Sequence, residues 1–173
     1  MPGRDFSSTA WVVGLTPRLG FATAVHLARN GISRIIIASR NLAKSQEAAK
    51  QIYATVPSFR GKIDIKTVDL MSFASVVAFC DEIKADPDRL DIVVANAGIM
   101  TANYKQTKDG WESVLQVNAL STGLMSLLLL PKLVETGKLG TPQGGEDFKP
   151  HLTIVASEGE YTFPVVIYPK ERY

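Results

Sequence analysis

Between two glycines, Gly14 and Gly20, the segment VVGLTPRLG (12–20) runs from apolar residues through a turn toward a helix. A turn of this kind delivers a helix N-terminus, whose unpaired N–H groups and dipole face an anion. Gly14 would supply the tight turn, and Gly20 would let the helix pack close to the preceding strand. That is the chemistry of holding a phosphate. A second residue of the same sort closes the next apolar run, where IIIAS is followed by Arg40. A dinucleotide site that holds a free ribose 2′-hydroxyl usually carries an acidic residue at this point, whereas an arginine suits a 2′-phosphate. The plainer alternatives are a strand-to-helix connection that binds nothing and a solvated surface arginine.

The elements that would position these residues can be read from the alternation of hydrophobic period. Ala10 to Gly14 reads as a buried strand. Leu19, Ala22, Ala24, Val25, Leu27 and Ala28 recur at helical spacing, and Gly31 fits the stop after the helix. RIIIAS (34–39) is the continuous β-branched run of a strand covered on both faces. Asn41 is placed to cap a helix that ends before Pro57. KIDIKTV (62–68) is the next strand, and Ser72 caps a helix with Phe73, Val76, Val77, Cys80 and Ile83 on one face and Pro87 beyond it. LDIVVANAG follows as strand and turn, then a helix from about Trp111 to Leu130 or a little beyond, a glycine-rich loop, and a last strand, HLTIVAS (151–157). Strands alternating with helices through short connections predict right-handed crossovers and an α/β, doubly wound parallel sheet of about five strands, in one domain over residues 1–173. Ligands of such sheets sit beyond the carboxyl ends of the strands.

Composition narrows the function. Of 173 residues, 46% are hydrophobic and 21% charged, a globular balance, and 19 basic against 17 acidic side chains leave no dominant field. Lysine and arginine are not gathered in the way a nucleic-acid partner needs. The single cysteine, Cys80, excludes an internal disulfide and suits a reducing compartment. Two histidines distant in sequence, His26 and His151, make a poor metal site; His26, in an apolar helix, is expected to be structural. The N-terminus has no signal-peptide character, and the apolar run LMSLLLL (124–130) is far short of a membrane span. A cytoplasmic protein with no membrane partner is the expectation.

VVGLTPRLGFATAVHLARNG followed by IIIASRNLAKSQEAA resembles the short-chain dehydrogenases/reductases, whose first turn reads TGxxxGxG. Further segments follow in the family's order. VDL (68–70) resembles its Asp-hydrophobe pair beside adenine, here Asp69 and Leu70. ANAG (95–98) resembles NNAG, giving Asn96, Ala97 and Gly98. QVNALST (116–122) resembles the helix of the active-site asparagine, which falls on Asn118, and TIVAS ends on Ser157, the position of the catalytic serine. The wording is most similar to reductases of fungal secondary metabolism. The resemblance implies a Rossmann-like domain that binds NADP(H) through Gly14, Arg18, Leu19, Gly20, Arg40, Asp69, Leu70, Asn96, Ala97 and Gly98. It also implies an oxidoreductase acting on a carbonyl or hydroxyl of a small-molecule substrate, with Ser157 polarising the oxygen.

Two departures stand out. Val13 replaces the family's threonine, and Arg18 replaces its middle glycine; the arginine either collides with the cofactor or turns outward to meet a phosphate. The family's Tyr-Lys pair, in which a lysine lowers the tyrosine's pKa, belongs on the helix after Ser157. Here YxxxK occurs only at Tyr104–Lys108, ahead of Ser157, where it reads as a surface loop pair. Downstream, Tyr161 is followed four residues later by Val165, and Tyr168 by Arg172. By this resemblance the chain lacks the family's last strands and catalytic helix. An alternative is a redox-neutral catalyst, isomerase, dehydratase or cyclase, using Ser157, Glu158, Glu160 or Tyr161; another is a non-catalytic remnant. An uncovered last strand (151–157) and a leucine-bearing helix (111–133) with Leu124, Leu127, Leu128, Leu130 and Leu133 predict homo-oligomerisation.

Overall fold

The structure, a computed structural model, describes residues 6–14, 19–140 and 149–157. Within them the strands are β1 (Phe6–Val13), β2 (Ile32–Ser39), β3 (Lys62–Thr67), β4 (Ile92–Ala95) and β5 (His151–Ile154). Helices α1 (Leu19–Arg29), α2 (Leu42–Thr55) and α3 (Phe73–Ala85) alternate with them. A composite helix follows, made of a short α4 (Ser113–Leu115), a π-helical turn (Gln116–Ser121) and α5 (Thr122–Lys138). All four pairings are parallel, in the order β3-β2-β1-β4-β5. The doubly wound sheet expected from the sequence is therefore present, and the chain reverses direction across the sheet between β1 and β4.

The isoleucine run of β2 shows why this order is stable. Ile35 and Ile37 point into one core layer with Ala24, Val25 and Ala28 of α1 and Ile52 of α2. Ile36 points into the other, with Val76, Phe79 and Cys80 of α3 and Met125, Leu129 and Leu133 of α5. All three isoleucines are at most 2% exposed. Removing them from water contributes roughly 5 to 9 kcal/mol, an upper figure because the unfolded chain already buries part of that surface. At the amino ends of the strands, the fully buried Asp91 accepts from Thr9 N at 2.7 Å and from Arg89 Nε at 2.7 Å. A carboxylate without water is tolerable there because both contacts are charge-assisted.

The expected caps hold: Asn41 Oδ1 accepts from Lys44 N at 2.9 Å, and Ser72 Oγ accepts from Ser75 N at 3.3 Å. Several expectations need correcting. The helix placed from Trp111 begins at Ser113 and runs through Pro131 to Lys138, because Pro131 lies on the exposed face and interrupts no buried bonding. The combined helical stretch Ser113–Lys138 is, by length and composition, apolar enough to cross a membrane, unlike the short run read from the sequence; its inward residues, Met125, Leu129 and Leu133, belong to the core. On α3, Val76, Cys80 and Ile83 are buried as expected, but Phe79 joins them and Val77 is exposed. His26 is exposed and so has no core role. Leu133 is buried, leaving Leu127, Leu130 and Val134 as the apolar residues that α5 presents outward. The last strand ends at Ile154, and its side chains are partly or fully exposed; among the described residues it is the edge of the sheet.

Candidate functional site

The reversal between β1 and β4 puts a cleft of about 230 Å³ at the carboxyl ends of the strands. Its floor is the turn after β1. Gly14 has φ +82°, and its N–H donates to Ala38 O at 2.9 Å while its carbonyl accepts from Asn96 Nδ2 at 2.5 Å. A Cβ at Gly14 would lie 2.6 Å from Ala97 Cα, and one at Gly20 would lie 2.3 Å from Gly14 O. The two strand-end loops and the start of α1 thus touch through bare backbone, which only glycine permits. Gly14, Ala97 and Gly98 line the cleft; Asn96 holds Gly14 instead, and Leu19 is exposed at the helix start. Arg18 lies outside the described residues.

One wall is cationic. Ser39, Arg40 and Lys44 line it, and neither Arg40 nor Lys44 has an ion-pair partner among the described residues. The Arg40 guanidinium only grazes Met71 Sδ at 3.6 Å. Ser39 Oγ, taken up by Asn41 N at 3.2 Å and by Ser45 Oγ at 2.7 Å, folds the turn so that the first turn of α2 follows directly. Sequence reasoning singled out Arg40 but missed Lys44. The signal was there: with Asn41 as cap, Lys44 falls in the first helical turn, beside the end of β2.

The opposite wall is apolar, built from Val68, Leu70, Ile99 and Val117. Asp69 is adjacent but turned into its own loop, Oδ1 accepting from Met71 N at 3.0 Å and its N–H donating to Ser75 Oγ at 3.0 Å. Asn118 locks the loop after β4 with both ends of its amide: Oδ1 accepts from Ile99 N at 2.9 Å and Nδ2 donates to Ile99 O at 2.8 Å. Just before this turn the Glu112 carboxylate caps α4. Burial pushes its pKa up, but the amides of Val114 and Leu115 outweigh that and hold it below the usual carboxylate range. Ser157 stands three residues beyond the end of β5, exposed at the same carboxyl edge and outside the cleft lining. Tyr104 and Lys108 lie on an exposed loop. Glu158, Glu160, Tyr161 and Tyr168 fall outside the described residues.

The model of the short chain dehydrogenase family matches residues 8–141. The chain is 36% identical over 152 residues to the short-chain dehydrogenase/reductase phmF of Phaeosphaeria nodorum, covering 87% of this chain and 43% of that protein. It is 37% identical over 157 residues to the short chain dehydrogenase sol3 of Alternaria solani, covering 90% and 52%. In structure it is similar to a metagenomic short-chain oxidoreductase solved in complex with NADP, with a TM-score of 0.69, 21% identity, and coverage of 88% of this chain and 63% of that one. A parallel sheet with a glycine-bearing turn at its switch point, matched over most of its length, defines a Rossmann-type nucleotide fold. The chain belongs to the short-chain dehydrogenase/reductase family, and it spans about half the length of the curated relatives it matches.

Proposed function

We propose that this chain carries the NADP(H)-binding site of an oxidoreductase that acts on a carbonyl or hydroxyl of a small substrate, in keeping with the secondary-metabolism character of its motifs. The observation that carries the reading is the pair Arg40 and Lys44: two cations without ion-pair partners among the described residues, at the end of β2, where a cofactor lacking the 2′-phosphate would call for a carboxylate. The structurally similar metagenomic oxidoreductase was solved with NADP bound, in keeping with this cofactor.

The residues present fit that cofactor. The glycines at 14 and 20 let the loops after β1 and β4 and the start of α1 close on one another at the cleft floor, an arrangement in which the amino end of α1 would hold the pyrophosphate. Leu70 and Ile99 would supply apolar faces for the rings, and Asp69 holds the loop that carries Leu70. When bound, the nicotinamide would supply or accept the hydride. Asn118 fixes the loop at Ile99, and Ser157, at the same carboxyl edge, would donate a hydrogen bond to the substrate oxygen. Self-association through Leu127, Leu130 and Val134 of α5 and the edge of β5, unpaired among the described residues, completes the reading.

Fluorescence titration tests it. NADPH should bind more tightly than NADH, and Arg40→Ala or Lys44→Ala should each reduce that preference by roughly tenfold, the worth of one partly exposed charge-assisted hydrogen bond. Equal affinity for the two cofactors, or binding of neither, overturns the reading.

A further inference from the structure

The π-helical turn Gln116–Ser121 has more attachments than a core helix needs. Gln116, fully buried, donates from Nε2 to Asp109 Oδ2 at 2.6 Å, and the same carboxylate oxygen accepts from Phe73 N, the first amide of α3, at 2.7 Å. Asn118 grips both backbone groups of Ile99. Ser121, also fully buried, donates its hydroxyl to Leu70 O at 2.6 Å. Thr122 Oγ1 reaches back to Val117 O at 2.9 Å and satisfies a carbonyl within the widened turn. Leu70 and Ile99 are both cleft-lining residues on separate loops, one after β3 and one after β4.

On a regular α-helix, residues three apart project only about 60° from each other and would serve one loop. The wider π turn, with its i→i+5 bonding, spreads Asn118 and Ser121 so that each reaches a different loop. The turn is tied to α3 through Asp109, so a shift of the loop at Leu70 breaks a buried bond and a shift of the loop at Ile99 breaks the paired, exposed bonds to Asn118.

We infer that Ser121 is a positioning residue for the cofactor cleft: its hydroxyl fixes the loop carrying Leu70, and hence the wall against the adenosine half, as Asn118 fixes the wall at Ile99. This rests on the reading of the cleft as an NADP(H) site. Removing the hydroxyl leaves Leu70 O buried without its donor, and the loop must move to find water. The wall then moves with it.

The test uses two probes, NADPH and adenosine 2′,5′-bisphosphate, titrated calorimetrically into wild type and variants whose melting temperatures are measured first. Ser121→Ala should weaken both probes by the same factor, about tenfold for the loss of one buried hydrogen bond. Ser121→Thr, which keeps the donor, should recover most of the affinity, and Asn118→Ala should weaken NADPH while sparing the fragment. Should the alanine variant not fold, Ser121→Cys keeps the packing with a weaker donor and must still lose fragment affinity. A merely structural role would lower the melting temperature and leave the fragment's affinity unchanged, and that result overturns the inference. If wild type binds neither probe, the cofactor reading fails and this inference with it; if wild type binds both and Ser121→Ala binds them equally well, only the inference fails.

Discussion

Three glycines allow the cost of the phosphate-type turn to be divided into parts. Gly14 combines a positive φ of +82° with a Cβ position 2.6 Å from Ala97 Cα and 2.7 Å from Ala97 N. Gly110 has φ +86° with nothing within 4 Å of its Cβ position. Gly20 has no positive φ, but its Cβ would fall 2.3 Å from Gly14 O. Gly110→Ala therefore isolates the backbone cost, about 1 to 2 kcal/mol for a left-handed alanine. Gly20→Ala isolates the collision. Gly14→Ala suffers both, and its obstacle is backbone that cannot rotate aside.

Adding a displaced backbone at about 1 to 3 kcal/mol, the overpacking range, puts Gly14→Ala at roughly 2 to 5 kcal/mol. At about 2 to 4 °C per kcal/mol for a chain of this size, its melting temperature should fall by roughly 4 to 20 °C, against roughly 2 to 8 °C for Gly110→Ala. Thermal unfolding followed by circular dichroism reads the stability, and NADPH titration reads the site. Gly14→Ala and Gly20→Ala should lose cofactor affinity, because Gly14, Ala97 and the start of α1 are pushed apart; Gly110→Ala, outside the cleft lining, should retain it. If Gly14→Ala melts no lower than Gly110→Ala and binds NADPH normally, the turn is not closed by contact with Ala97 and the geometry argued for the cleft floor is wrong.

The charge cluster beneath the sheet sets an acid limit. The Arg34 guanidinium bonds Asp86 at 2.8 Å and Asp64 at 2.6 Å. At Asp86 the bond to Arg34 is the dominant influence and lowers the pKa; at Asp64 burial raises it, but Lys62 and Arg34 together outweigh burial and the net shift is downward. Carboxyl pKa values depressed in the folded state contribute stability that is present above the unfolded value near 4 and lost as pH falls through the folded ones. Arg34→Met should thus cost stability at neutral pH and flatten the loss below about pH 4 in urea unfolding; an unchanged acid limb would refute this account. Cys80, fully buried with its thiol pushed up to about 11 chiefly by burial, should resist alkylation by iodoacetamide at neutral pH and label at the rate of unfolding. Rapid labelling of the folded protein would show that α3 opens independently of the core.

What the sequence disclosed followed from how local each signal is. The succession of strands and helices came from alternating periods, and the caps at Asn41 and Ser72 from single residue types whose side chains bond amides within one turn. The turn at Gly14 was legible because a tight corner demands glycine, and Arg40 because it closes a strand. Lys44 went unread although its spacing was visible, since a lysine early in a helix carries no meaning until the partner strand and the cleft are in place. The π turn was less accessible. No residue within QVNALST requires it; it exists because Asn118 and Ser121 answer to backbone groups 19 and 51 residues away. Interactions of that range are settled by topology, and a reading of the helix by periodicity alone carries straight through the place where it widens. The same reason accounts for Asn96, whose position suggested the cleft but whose amide turns back across 82 residues to Gly14. In this fold the side chains that hold the site are mostly bonded to backbone, so their roles depend on which loop arrives beside them more than on their own chemistry.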